Sequence, residues 1–232
     1  MKVLTAIISA SFLFGMPALA EPFNGPVLGL SLGQSRGSVD FNFNGTVNGS
    51  PNKETGDIPM SLDGGEFGVY AGYRHAFDGG FVIGAELGYI NGRAKSSSRI
   101  SVRDLDFSIA VEKNSQFYFD FKPGFANGEG MMIYGLIGYQ RTGFDGIYTD
   151  NDTGTAKVVK ASTSSSDLRI GFGVEYALSE NVTIRGQYHQ SSFGDLGFDF
   201  VKPKTENDMM EDFIEKYDAR ESVVSIGITF GF

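Results

Sequence analysis

At 232 residues the chain has room for one all-β barrel domain and is short for two. It has no cysteine, which excludes disulfide stapling, thiolate metal sites and cysteine nucleophiles, and its formal charge of -9 argues against a nucleic-acid partner, which needs a basic face. Beyond the N-terminus no run approaches the ~20 apolar residues of a membrane-spanning helix, so only a closed barrel of strands could cross a bilayer.

Met1 to Ala20 reads as an export signal. Lys2 supplies the positive start, Val3 to Phe14 an uncharged apolar run, and Ala18-Leu19-Ala20 a small-residue cleavage site. The mature domain then runs from Glu21 to Phe232, outside the cytoplasm. A first strand is predicted over Asn24 to Arg36, with Leu28, Leu30 and Leu32 on one face and Gly29, Ser31 and Gly33 on the other. Gly37 to Leu62 is polar and without period, which predicts a surface loop. Gly65 to Phe77 alternates again and is the second strand. Asp78-Gly79-Gly80 is a tight turn, and Phe81 to Asn91 returns as the third strand.

Gly92 to Ser115 mixes a serine cluster and charge with short alternating pieces at Leu105, Phe107, Ile109 and Val111. It reads as a long loop into which the flanking strands extend as a hairpin; an extra strand pair is the rival reading. Gln116 to Phe125 is the fourth strand, with an aromatic stripe at Phe117, Phe119, Phe121 and Phe125. After a turn at Asn127 to Gly130, Met131 to Gly143 is the fifth strand, apolar on both faces. Phe144 to Ser166 is a polar loop, and Asp167 to Ala177 the sixth strand. Ser179 to Asn181 turns the chain into the seventh, Val182 to Phe193. Gly194 to Glu221 is a last long loop, in which Thr205 could cap a short helix through Met209, Phe213 and Tyr217.

The chain closes on V-V-S-I-G-I-T-F-G-F, Val223 to Phe232. Val224, Ile226, Ile228, Phe230 and Phe232 share one face, and small or hydroxylated residues take most of the other. A sandwich strand could show this pattern. Yet long connections follow strands one, three, five and seven, and short ones follow two, four and six. That is the asymmetry of an outer-membrane barrel with short periplasmic turns and long external loops. Phe77, Phe81, Phe125, Tyr176 and Phe232 all fall at the short-turn end, where an aromatic girdle belongs. The fold expected is an eight-stranded antiparallel transmembrane β-barrel with both termini periplasmic.

Several motifs carry a family resemblance: A-G-Y-R at Ala71 to Arg74, G-A-E-L-G-Y at Gly84 to Tyr89, Y-G-L-I-G-Y at Tyr134 to Tyr139, G-F-G-V-E-Y at Gly171 to Tyr176, I-R-G-Q-Y at Ile184 to Tyr188, and the terminal I-T-F-G-F. With the export signal they resemble the outer-membrane protein beta-barrel family of small OmpA-like and opacity-type barrels, many of them called porin-family proteins. The resemblance implies a location in the outer membrane. It also implies that Ile226, Ile228, Phe230 and Phe232 form the C-terminal signal read by the barrel-assembly machinery.

Inward faces carry Glu66, Glu86, Asp120, Asp167 and Glu175 against Arg74, Lys122, Arg169 and Arg185. An eight-stranded interior is only about wide enough for side chains, so these charges read as a plug of ion pairs. Arg169 and Arg185 are expected to pair with Glu66, Glu86 or Glu175. The alternative is a narrow gated conductance path, making the protein a small diffusion porin. His189-Gln190-Ser191 resembles the His-x-Ser pair of lipid-modifying barrel enzymes. Here both residues are expected to point inward, with no orienting acid, so no enzyme activity is expected. Neither a cofactor nor a metal is expected. Outer-membrane lipid, and host or surface ligands at the external loops, are the expected partners.

Overall fold

The computed structural model describes residues 23–47, 53–102, 105–150, 157–196, 198 and 210–232. The export signal expected at Met1 to Ala20 lies outside the described residues. Eight strands run β1 (Gly25–Val47), β2 (Lys53–Ala76), β3 (Phe81–Val102), β4 (Leu105–Ala126), β5 (Met131–Asp150), β6 (Lys157–Ala177), β7 (Val182–Asp195) and β8 (Met210–Gly231). Each is antiparallel to the next, and β8 closes on β1 from Val27↔Gly231 to Val47↔Met210. The expected eight-stranded antiparallel barrel is therefore the fold observed.

The short turns form as their glycines suggest. Phe77 N donates to Phe81 O at 2.8 Å, and Gly79 and Gly80 both take φ of +88°, where a side chain would be strained. Asn127 N donates to Met131 O and Leu178 N to Val182 O, each at 2.8 Å. The apolar stripes face outward: Leu28, Leu30, Leu32, Leu87, Phe117, Phe119, Leu168, Ile170, Val224 and Ile226 are all exposed. Phe77, Phe81, Phe125 and Phe232 ring the short-turn end, also exposed. A soluble fold would bury these residues; a barrel in lipid presents them. On β5, whose two faces the sequence left open, Met132, Tyr134, Leu136, Gln140, Thr142 and Phe144 point in.

The strands are much longer than the sequence suggests. Crossing a bilayer takes about 10 tilted strand residues, yet β1 has 23 and β2 has 24. Within the segment expected as a loop, residues 37–47 and 53–62 are the paired upper halves of β1 and β2, joined as far as Thr46↔Lys53. The hairpin expected between β3 and β4 is present as far as Val102↔Leu105. Residues 144–150 and 157–166 likewise belong to β5 and β6, paired as far as Asp150↔Lys157. The short helix is also corrected. Thr205 and Met209 lie outside the described residues, but Phe213 and Tyr217 are strand residues of β8, with Tyr217 opposite Phe41 of β1. Polar side chains hid these segments because a ladder raised into water needs no apolar outer face. It propagates from strands the membrane already aligns, so nucleation costs little extra.

The outward extension has its own core. Val39, Met60, Leu62, Ala94, Ile109, Val111, Phe144, Phe193, Leu196 and Ala219 form one buried cluster drawn from β1 to β5, from β7 with the residue just after it, and from β8. Phe144 and Phe193 meet edge to face, centroids 5.1 Å apart. Outside this cluster, Ser162 and Asn114 donate to Asp145 at 2.7 and 2.5 Å and hold its carboxyl below the usual range. At the opposite end Phe23, Val82, Met132, Tyr134 and Ala177 form a second apolar cluster. Phe23 is fully buried, and Asn24 Oδ1 next to it accepts from Ala76 N at 3.2 Å.

If the outward extension is a packed core, Phe144→Ala lowers the unfolding free energy by roughly 3–5 kcal/mol. Urea titration of the refolded barrel reads this directly. A loss under about 1 kcal/mol would contradict a packed extension.

Candidate functional site in the barrel interior

Between the two apolar clusters lies a layer of charge. Among the described residues the buried acids are Glu66, Glu86, Asp120, Glu175 and Glu221, and the buried bases are Arg74, Lys113, Lys122, Arg169 and Arg185. Five face five, so the interior is formally neutral in a chain of charge -9. That balance is what burial demands, since an uncompensated ion costs several kcal/mol.

Glu86 is the hub. Its Oε2 accepts from Arg185 Nη1 at 2.7 Å and Lys122 Nζ at 2.8 Å. Its Oε1 accepts from Tyr118 at 2.9 Å and Arg185 Nη2 at 3.2 Å. Arg185 stacks on the Tyr70 ring at 3.6 Å, and Tyr70 OH lies 2.8 Å from Thr229 Oγ1. Nearer the short turns, Arg74 donates to Glu175 Oε2 at 2.9 Å, and the Thr183 hydroxyl donates to the same carboxylate. Arg169 Nε lies 3.2 Å from Asp120 Oδ1, out of line for a hydrogen bond, and its guanidinium covers the Tyr118 ring at 4.2 Å. On the outward side Lys113 bridges two acids, Glu221 at 2.5 Å and Glu66. Gln116 donates to Gln140 beside it.

Three tyrosines fit into this layer because glycines face them. Tyr70 lies opposite Gly29, Tyr118 opposite Gly88 and Tyr134 opposite Gly173. A Cβ at Gly29, Gly88 or Gly173 would sit 2.1, 2.2 or 2.4 Å from the tyrosine Cζ. The space left is small. A cavity of about 10 Å³ beside Arg169, Arg185 and His189 has room for about one water.

Of the sequence-derived charges, Glu66, Arg74, Glu86, Asp120, Lys122, Arg169, Glu175 and Arg185 come together here. Arg185 pairs with Glu86 as expected. Arg169 faces Asp120 rather than Glu66, Glu86 or Glu175. Asp167 stays out: it is half-buried beside Ser165, whose hydroxyl donates to it at 2.7 Å. Lys113 and Glu221 were not expected. Glu221 follows the inward alternation of β8 but fell in a segment read as loop. Lys113 breaks alternation, because a β-bulge between Lys113 and Gln116 puts both on the inner face. His189 and Ser191 do point inward, both buried. His189 Nδ1 lies 3.4 Å from Arg169 Nη2, so a cation rather than a carboxylate stands beside the ring.

A closed antiparallel barrel with an apolar outer band and a neutral ionic interior is the geometry of an outer-membrane wall. The model of the outer membrane protein beta-barrel domain matches residues 6–230. The chain belongs to that family. Its place is the outer membrane. The 31 kDa outer-membrane immunogenic proteins of Brucella melitensis and Brucella suis are each 22% identical over 172 residues, covering 74% of this chain and 72% of theirs. Among solved structures, the outer membrane protein OprG from Pseudomonas aeruginosa aligns over 92% of this chain and 99% of its own. Its TM-score is 0.50 at 15% identity, a likeness of fold alone.

Removing the hub tests the interior. Glu86→Gln strands Arg185 and Lys122 and lowers unfolding free energy by roughly 3–5 kcal/mol. Asp63→Asn on the outer surface stays within about 0.5 kcal/mol of the parent. Equal effects at the two positions in urea titrations would contradict a coupled core.

Proposed function

We propose that this protein is a non-conducting, non-enzymatic anchor that holds a rigid β extension outside the outer membrane as an interaction surface. The reading rests on one observation: an ion-paired layer lies between two apolar clusters inside the barrel. Ions crossing it would have to part buried charge pairs and shed water between Phe23 and Met132 at one end and Leu62 and Phe144 at the other. The extension supports the surface role. Its hairpins are paired strands over a packed core, so they present fixed faces to a partner and lose less entropy on binding than loose loops would. The Brucella relatives are named as immunogenic outer-membrane proteins, which accords with exposure at a cell surface. Assembly through Ile226, Ile228, Phe230 and Phe232 on β8 belongs to the same proposal. So does recognition of host or surface ligands by the hairpins.

Single-channel recording of the refolded barrel tests this reading, with folding verified by heat-dependent gel mobility. The expected result is a silent bilayer. Steady or stepwise current from verified barrels would replace this proposal with a diffusion porin, whose ion pairs open.

A further inference from the structure

Outward-facing cations are not spread evenly over this acidic chain. Directly above the apolar band the outer face carries Arg36 on β1, Arg93 on β3, Arg141 on β5 and Arg220 on β8, all exposed. Among the described residues the outer face at this height carries Asp63, opposite Arg36 and Lys95, and Glu112, which Lys95 already engages at 2.5 Å. Arg36 and Arg220 are the pair brought closest to a recess. Their strands are neighbours, with Arg36 opposite Ser222 and Arg220 two residues further along β8. Diagonal side chains on such a ladder are about 7–8 Å apart at their bases, a separation one phosphate can bridge. Neither arginine has a hydrogen bond or ion pair among the described residues.

The recess beside them comes from the strand pairing. The β6–β7 ladder ends at Arg169↔Ser191, although β6 continues to Lys157 and β7 to Asp195. Where the two strands part, a cleft of about 1140 Å³ opens on the outer face. Leu168 and Ile170 border it toward the membrane; Arg36, Arg220, Ser166 and Ser222 border it toward the exterior. The two carboxylates at its edge are already engaged, Glu221 by Lys113 and Asp167 by Ser165.

We propose that this cleft binds a phosphorylated glycolipid of the outer leaflet, with a headgroup phosphate between Arg36 and Arg220 and an acyl chain along Leu168 and Ile170. Charge, height and polarity each point to that occupant. Guanidinium groups match phosphate with paired, planar hydrogen bonds. The arginines sit at the level where lipid headgroups begin. The apolar edge lies on the side facing hydrocarbon, and the serines can donate to remaining phosphate or sugar oxygens.

Titration of bisphosphorylated lipid A into the full refolded chain in neutral maltoside micelles tests this, read by native mass spectrometry. Heat-dependent gel mobility confirms that each variant is folded. The expected result is saturable one-to-one binding, weakened at least about tenfold in the double variant Arg36→Gln/Arg220→Gln. The dephosphorylated glycolipid should bind as weakly to the parent, and Leu168→Ser should lower affinity for the intact lipid. Arg93→Gln/Arg141→Gln should stay within about twofold of the parent. Parent-like binding by Arg36→Gln/Arg220→Gln overturns the site. Equal loss in Arg93→Gln/Arg141→Gln also overturns it, in favour of a diffuse collar. Competition by inorganic phosphate at the lipid's own concentration, or no effect of Leu168→Ser, would mean a simple anion site instead.

Discussion

A charge inside an eight-stranded barrel has nowhere to keep its water, and the interior of this protein is arranged around that constraint. Glu86 would be intolerable alone. With Arg185, Lys122 and Tyr118 on its two oxygens it becomes the fixed centre of the layer. Removing water from ions strengthens their attraction as well as raising their cost, so the layer is stable only when complete. This explains the neutrality of a buried set taken from a chain of charge -9. The inward glycines follow from the same constraint. The Tyr70 and Tyr118 rings lie under guanidinium groups and the Tyr134 ring under the Lys122 ammonium, and they fit only because the strand opposite offers no side chain at Gly29, Gly88 and Gly173.

The barrel wall and the extension beyond it are one continuous ladder with two solvents. Within the membrane, outward residues are apolar because lipid surrounds them and inward ones are polar because they pair. Above the membrane the relation inverts. Val39, Leu62, Ile109 and Phe144 turn inward to form a core, while Ser162, Ser164 and Lys160 face water. The period of two holds along these strands except at bulges such as that between Lys113 and Gln116, and across the two solvents the meaning of each face changes. That continuity carries rigidity from the embedded wall to the exposed hairpins.

The inversion also explains what the sequence disclosed and what it hid. Strands such as Val224 to Phe232 were legible because lipid imposes an unbroken apolar face. The three short turns were legible from their Gly and Asn residues. Lys157 to Ser166 was not, because its lysines and the hydroxyl run Ser162 to Ser166, with water outside, resemble a loop in composition. Eight of the interior charges could be read by parity from the membrane strands. Lys113 could not: the bulge before Gln116 shifts parity by one, and no residue type announces it. Phe23 precedes the first strand, so periodicity was silent on its burial. Asp167 was assigned inward by parity and does lean that way. It sits where β7 has already left β6, so it meets Ser165 rather than the ionic layer.

The central claim is that the interior is sealed from both solvents, and the absence of native cysteine makes it directly testable. Ser35 is fully buried on the inner face of β1, with no hydrogen-bond partner for Oγ among the described residues. Ser35→Cys therefore places a near-isosteric thiol just inside the outward apolar cluster. In the refolded barrel a charged thiosulfonate reagent should leave this thiol unmodified over the time in which it fully labels an exposed Ser166→Cys control. Labelling of both positions at comparable rates would mean that water and ions enter the lumen, and the sealed core would be wrong.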